Sequence, residues 1–497
     1  MALQEKKIFK NAFVSVLQVG VSGVTLFILY RYLLLHLGVE KFGVWSVVLA
    51  TASVSRLSEM GLSGSVVKFI AKYISLNNPQ KVDSVIQTAV LSLSGFLGVV
   101  FLIIYYPLTL VLSHVIPEEF LQIATQLLPL ALLVLWIMSV AGVYQAGLEG
   151  HQRNDLRGIA IMIASIIYLV LAILLTKPYG LLGLAYAQVA QALVVIALSV
   201  FFLKKEMRHL TVIPKKWNKE TFQELFRYGI VFQAGAVFLM LFEPATKILL
   251  SNYGGVSMVG YYEMANRMVQ QFRFILISAN QVLVPVFAGI FEKSIDDVHN
   301  VYKKSFSVIS YLSLPFFGIL SIAVPFISQV WVGTYEPFFV LLSYIMIVSW
   351  YINTLVTPAY FANMGIGTIK WNTLTHVAMG TSNIILGLLL GSLFGGMGVI
   401  TAYSISLIGA SILLIYKFHQ INAISLGQLI PKADIRMLLI NVLGLIVFWL
   451  YGQFTTEFFA NMPSLIIVST CIIVVFFLIP MGYHPMSKKL FNVITNK

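Results

Sequence analysis

Long apolar runs recur from one end of the chain to the other, with only short polar gaps between them. Most exceed the ~20 apolar residues that a helix needs to cross the hydrocarbon core. The runs lie at about 12–36, 42–66, 84–112, 120–147, 156–176, 180–203, 226–252, 257–290, 302–328, 337–362, 369–393, 397–418, 435–453 and 463–483. They predict an all-α polytopic membrane fold of about fourteen transmembrane helices, the separations at Gly180 and Gly395 being the narrowest. Lys6, Lys7 and Lys10 precede the first run. That run is longer than a signal-peptide core and has no small-residue cleavage site, so it reads as a retained helix.

Composition agrees. Of 497 residues, 59% are apolar and 10% charged, against roughly 25% charged in soluble domains. The net charge of +13 would suggest nucleic acid in a soluble protein. Here the basic residues sit in alternate gaps. Lys68, Lys72, Lys81, Lys204, Lys205, Lys215, Lys216, Lys303 and Lys304 are in or beside even-numbered gaps, whereas the odd-numbered gaps hold only Lys41 and Lys177. This asymmetry excludes nucleic acid as the partner. It places both termini in the cytoplasm under the positive-inside rule. The single cysteine, Cys471, allows neither an intrachain disulfide nor a cysteine-based metal site.

The chain also repeats. The segment Gly38-Val39-Glu40-Lys41-Phe42-Gly43 matches Gly255-Val256-Ser257-Met258-Val259-Gly260 at an offset of 217. Tyr179-Gly180-Leu181-Leu182-Gly183 matches Phe394-Gly395-Gly396-Met397-Gly398 at an offset of 215. Two six-helix lobes are expected, at 1–203 and 226–418, joined by a cytoplasmic linker at 204–225. Two additional helices and a tail follow at 419–497. Six spans per lobe is an even number, so the repeats run parallel, an arrangement used by transporters.

Phosphate-loop, dinucleotide and metal-ligand spacings are absent, and the outer gaps are about a dozen residues at most. The reading is therefore of a protein that is not an enzyme and has no cofactor. Chemistry is carried instead by charges inside the spans, which cost at least ~2.5–3.5 kcal/mol each at the bilayer centre. These are Arg31, Arg56, Glu59, Glu243, Lys247, Glu263, Arg267 and Arg273, all on the first two spans of each half. Arg31 and Lys247 are 216 apart and Arg56 and Arg273 are 217 apart, so the repeat sets basic residues at two matching depths. Cations grouped around one axis call for an anion between them, and a pyrophosphate suits arginine forks. Against this stands local pairing. Glu243–Lys247 and Glu263–Arg267 are four apart and Arg56–Glu59 three apart, spacings that suit ion pairs on one helix face.

Glycine and proline (Gly61, Gly64, Pro244, Pro285, Pro315, Pro325 and Pro358) interrupt several spans, where bending would serve alternating access. Trp45, Tyr261, Tyr262, Trp331 and Tyr335 lie near the expected outer interface. They read as a membrane belt, with sugar stacking as the alternative.

The motifs Leu37-Gly38-Val39-Glu40-Lys41-Phe42-Gly43-Val44-Trp45, Glu59-Met60-Gly61-Leu62-Ser63-Gly64-Ser65 and Tyr228-Gly229 resemble those of polysaccharide flippases. Those proteins belong to the multidrug/oligosaccharidyl-lipid/polysaccharide exporter superfamily. The resemblance implies a cavity lined by spans 1, 2, 7 and 8. It also implies export of undecaprenyl-pyrophosphate-linked oligosaccharides, for O-antigen or capsule, across a bacterial or archaeal cytoplasmic membrane. Polysaccharide polymerase machinery and membrane lipids are the partners it suggests. Arg31, Arg56 and Arg273 stand where basic cavity residues of lipid II flippases are thought to engage pyrophosphate, and Lys247 and Arg267 are added as substrate-binding candidates. Glu59, Glu243 and Glu263 are the candidates for coupling to a proton or sodium ion. The alternatives are a cation-coupled multidrug exporter, whose cargo would favour an acidic rather than a basic cavity, and a membrane glycosyltransferase or polymerase, which the short outer loops disfavour.

Overall fold

The computed structural model describes residues 2–54, 62–280, 287, 290, 295–425, 432–455, 458, 459 and 461–487. Among them every regular element is helical: α1 (Ala2–Ser53), α2 (Leu62–Ser75), α3 (Pro79–Val115), α4 (Glu118–Gly150), α5 (Asn154–Glu206), α6 (Lys219–Asn280), α7 (Ile295–Val332), α8 (Pro337–Leu355), α9 (Thr357–Ile366), α10 (Lys370–Ile421), α11 (Lys432–Phe454), α12 (Met462–Ile473) and α13 (Ile479–Tyr483). A π-turn, Val474–Leu478, joins the last two.

Nine helices among the described residues are long and apolar enough to cross a membrane. The chain is therefore a multi-pass membrane protein. The expected number, fourteen, requires each arm of four glycine-broken helices to cross on its own. Length argues for such breaks. The 53 residues of α5 would run ~80 Å if straight, against a ~30 Å hydrocarbon core.

The breaks fall on the glycines that the repeat aligns. Gly38 has φ 78° and ψ 168°, and its counterpart Gly255 has φ 79° and ψ 168°. Gly180 (φ 56°, ψ −133°) and Gly395 (φ 62°, ψ −148°) form the second matched pair. The first pair lies in a backbone region that is essentially reserved for glycine. At the second pair the chain folds back on itself: a Cβ on Gly183 would overlap the carbonyl of Leu175, and one on Gly398 that of Leu390. Residues eight apart along a straight helix would be ~12 Å from each other. Two weak sequence matches are thus realised as the same backbone geometry twice.

The chain divides into two compact units. One is Met1–Gly260 with Gly387–Val399 and the other is Tyr261–Leu386 with Ile400–Lys497. These units are divided by packing, whereas the six-span halves expected from the sequence are divided by repetition.

In the first unit, α2, α3, α4 and the end of α5 enclose a core that includes Ile70, Ile86, Leu93, Val143 and Leu203. The segment between α5 and α6 closes over it as a strap. Asp83 accepts from the Thr211 amide (2.8 Å) and hydroxyl (2.9 Å). Gln87 Oε1 accepts from the amides of Lys215 (3.0 Å) and Lys216 (3.1 Å). Trp217 Nε1 donates to Ser92 Oγ at 3.0 Å. The arms that begin at Val39 and Val256 cross at two matched glycines. A Cβ on Gly43 would overlap the carbonyl of Val256, and one on Gly260 would sit 2.6 Å from the carbonyl oxygen of Val39. The contact is reciprocal, as a two-fold relation requires. Beside it Ser257 Oγ donates to Glu40 Oε1 at 3.3 Å, a bond between residues 217 apart.

In the second unit the trailing helices pack on α7. Phe458, Leu465, Ile472 and Phe477 form a core with Ile322 and Phe448, and Gly318 leaves room for the Phe477 ring. His484 Nε2 meets Asp434 Oδ1 at 2.9 Å. Pro244, Pro315 and Pro325 lie within helices, whereas Pro358 starts α9 directly after α8 ends. Gly61 and Pro285 lie outside the described residues.

One expectation is corrected. Trp45, Tyr262 and Trp331 are buried in protein rather than set in a lipid belt. Tyr262 meets Tyr403 edge to face at 5.7 Å, and Trp331 packs on Phe339.

Candidate functional site

The intramembrane charges separate into two groups. In the first unit Lys247 Nζ lies 3.0 Å from Glu243 Oε1, with the lysine side chain 5% and the glutamate 30% exposed. In the second unit Arg267 Nε donates to Glu263 Oε1 at 2.8 Å, the arginine being 45% and the glutamate 8% exposed. Both spacings of four are therefore used as ion pairs along one helix face. Lys247 and Arg267 do not present an uncompensated charge. Arg31 is exposed on the first arm of α1, beside Tyr32, whose hydroxyl donates to the Ile173 carbonyl at 2.8 Å. Arg56 and Glu59 lie outside the described residues.

Arg273 is different. Its Nη2 donates to Asn353 Oδ1, and its guanidinium carbon lies 4.4 Å from the centre of the Trp350 ring. Its Nε is buried and meets no acceptor. Among the described residues no carboxylate neutralises it. A partly buried charge with no carboxylate beside it among the described residues is costly inside a membrane and marks a functional position. Stacking on tryptophan offsets part of that cost without cancelling the charge.

The surroundings of Arg273 are polar and ordered. Asn353 Nδ2 donates to Ser411 Oγ (2.9 Å), whose own hydrogen goes to the Leu407 carbonyl (2.7 Å). That chain of donors fixes the amide so that its oxygen faces the arginine. Two turns back along α6, Asn266 Oδ1 accepts from Trp350 Nε1 (3.2 Å), Gln270 Nε2 (3.1 Å) and the Tyr403 hydroxyl (3.3 Å). Asn266, Gln270 and Arg273 share one face of α6, by the i, i+4, i+7 rule. Trp350 and Asn353 come from α8, and Tyr403 and Ser411 from the second arm of α10. A search for charges passes over these neutral partners. Their helical spacing within apolar spans was the signal available.

No group of three or more metal-ligating side chains gathers among the described residues. A groove of about 1130 Å³ in the first unit lies under the strap, lined by Asp83, Gln87, His209 and Lys215 among others. Asp83 and Gln87 are already spent there in holding the strap, so the groove reads as structural.

The fold is that of the multidrug/oligosaccharidyl-lipid/polysaccharide exporter superfamily. A solved structure of the lipid II flippase MurJ in an inward closed conformation superposes with a TM-score of 0.73 at 13% identity, covering 98% of this chain and 99% of that one. An inward-facing multidrug resistance transporter of the MATE family gives 0.71 at 14% identity, covering 83% and 98%. The family described as "Polysaccharide biosynthesis protein" matches residues 8–291, and the chain belongs to it. A Shigella flexneri protein named "Putative O-antigen transporter" is 21% identical over 398 residues, 78% of this chain and 92% of its own length.

Proposed function

We propose that the chain moves an anionic lipid-linked oligosaccharide, of the undecaprenyl-pyrophosphate kind, from the cytoplasmic to the outer leaflet by alternating access between two six-helix lobes. The observation that carries this reading is Arg273, a cation stacked on Trp350 and hydrogen-bonded to a neutral amide, with a buried Nε still to be satisfied. Phosphoryl oxygens meet that need, because arginine binds them through parallel N–H donors. Arg31 and Arg56 are further candidate ligands for that anion by their residue type and repeat position. The membrane is the cytoplasmic membrane of a bacterium or archaeon, with both termini inside. Substrate would arrive from, and leave to, the enzymes that build and polymerise the glycan. The chain's own role is transport, without catalysis.

Glu243 and Glu263 each hold a cation in place. Protonating either would release its partner, so these two, with Glu59, are the candidates for ion coupling. The multidrug reading is the second one, and the 0.71 superposition with a MATE transporter speaks for it. That neighbour covers 83% of the chain, whereas the lipid II flippase covers 98%, trailing helices included. A cation with no carboxylate beside it among the described residues also repels a cationic drug.

Purified protein in liposomes decides between the two. Fluorescent lipid-pyrophosphate oligosaccharide should move between leaflets, and a cationic dye should not accumulate. Dye accumulation without lipid movement would overturn the proposal.

A further inference from the structure

The partner of Arg273 is an asparagine, and that choice is informative. An aspartate at the same place would reach the same Nη2 with the same shape and would neutralise the guanidinium. Asn353 instead accepts one hydrogen bond and adds no charge. Its orientation is enforced rather than free: Nδ2 is committed to Ser411, and Ser411 to the Leu407 carbonyl. The oxygen is therefore the only end that can face the arginine. Trp350 covers one face of the guanidinium, and its own Nε1 is tied to Asn266. Asn266 takes donors from three helical arms through one oxygen. The cluster thus holds the guanidinium in one plane and leaves its charge intact.

We propose that Asn353 is a positioning residue that sets the charge selectivity of the Arg273 site. It orients the arginine while keeping it cationic, so that a phosphoryl anion supplies the missing counter-charge. The inference rests on the reading of Arg273 as an anion ligand and adds a residue to it. Because Asn353 acts through Arg273, its effect depends on charge rather than on contact with cargo. Ser411 and Leu407 act one step further out, by fixing which end of the amide is presented.

The test is Asn353→Asp, with Asn353→Ser and Arg273→Ala beside it. Three quantities are read: flipping of a lipid-pyrophosphate oligosaccharide in liposomes, the melting temperature in detergent, and the rise in that temperature caused by inorganic pyrophosphate. In Asn353→Asp, flipping should fall at least tenfold and the pyrophosphate-induced rise should vanish. Its own melting temperature should equal or exceed that of the parent, because a partly buried cation has gained an anionic partner. Asn353→Ser keeps a neutral acceptor and should retain part of both activities. A purely structural role for Asn353 would give the opposite order, with Ser the more damaging. If Asn353→Asp flips within threefold of the parent, or melts well below it, or fails to accumulate, the inference is overturned. If Arg273→Ala also flips normally, the anion reading itself falls. If only Arg273→Ala is inactive, that reading stands and the role of Asn353 alone is lost.

Discussion

Replacing Gly43 and Gly260 together with alanine should drive apart the two arms that cross there. At Gly43 an added Cβ would overlap the Val256 carbonyl and lie 3.1 Å from the Gly260 nitrogen. At Gly260 it would lie 2.6 Å from the Val39 oxygen and 2.8 Å from Val39 Cγ2. Carbon contacts are comfortable only from ~3.5 Å, so the arms must separate by ~1.5–2 Å. The obstacles are mostly backbone, which cannot rotate out of the way. Overpacking of this kind costs ~1–3 kcal/mol, equivalent to a ~5- to 150-fold loss in the population of the closed crossing. The assay is cross-linking of Glu40→Cys to Ser257→Cys, with Cys471→Ser removing the native thiol. The Ser257–Glu40 bond of 3.3 Å puts these side chains in reach of a short bis-maleimide. Yield should drop in the double-alanine protein. It should hold in Gly20→Ala, where the added methyl meets nothing within 4 Å. Unchanged yield and unchanged melting temperature in the double variant would mean that the arms do not meet at these glycines.

Three further outcomes follow from the same geometry. Glu243→Ala removes the carboxylate 3.0 Å from the buried Lys247 and should cost ~3–5 kcal/mol, whereas Glu243→Gln with Lys247→Met should restore membrane abundance. Equal abundance in the two would contradict the pairing. Gly255→Ala forces alanine into a glycine-only region at φ 79° and should lower stability by ~1–3 kcal/mol, which thermal unfolding would register. Gly38→Ala should match it, since its angles are nearly the same. Impermeant maleimide applied outside should label Ser113→Cys and Asn461→Cys but not Lys216→Cys; labelling at 216 would invert the proposed orientation.

Much of the fold was legible because its signal is one-dimensional. Apolar length marks the helices, and glycines repeated at a common offset mark the turns. The linker at 204–225 was visible as a polar stretch, but not its attachment. Asp83 looks like an ordinary loop residue, and Gln87 like a stray polar residue at the head of a span, until Thr211, Lys215 and Lys216 are brought against them. The burial of Trp45, Tyr262 and Trp331 was invisible for a different reason. Lipid and protein interior are both apolar, so helices in a membrane pack without a hydrophobic driving force, and sequence periodicity does not separate the two environments.

The site was half legible. A charge in an apolar run is conspicuous, and Arg273 was found that way. Spacing of four predicted the pairs at Lys247 and Arg267, and both form. What spacing leaves open is which arginine lacks an acid, since that depends on residues dozens of positions away. Asn353 is 80 residues from Arg273, and Ser411 another 58 beyond. Nothing local in the chain joins them.

The central claim is that Arg273 engages the anionic group of a lipid-linked sugar. Its most direct test is the initial rate at which purified Arg273→Ala moves a lipid-pyrophosphate oligosaccharide across liposomes, at matched amounts of folded protein. Loss of charge-assisted hydrogen bonds worth ~1.5–3 kcal/mol predicts a rate ~10- to 150-fold below the parent, with Arg273→Lys in between, because lysine keeps the charge and loses the fork. A well-folded Arg273→Ala that flips this lipid at the parental rate would contradict the account.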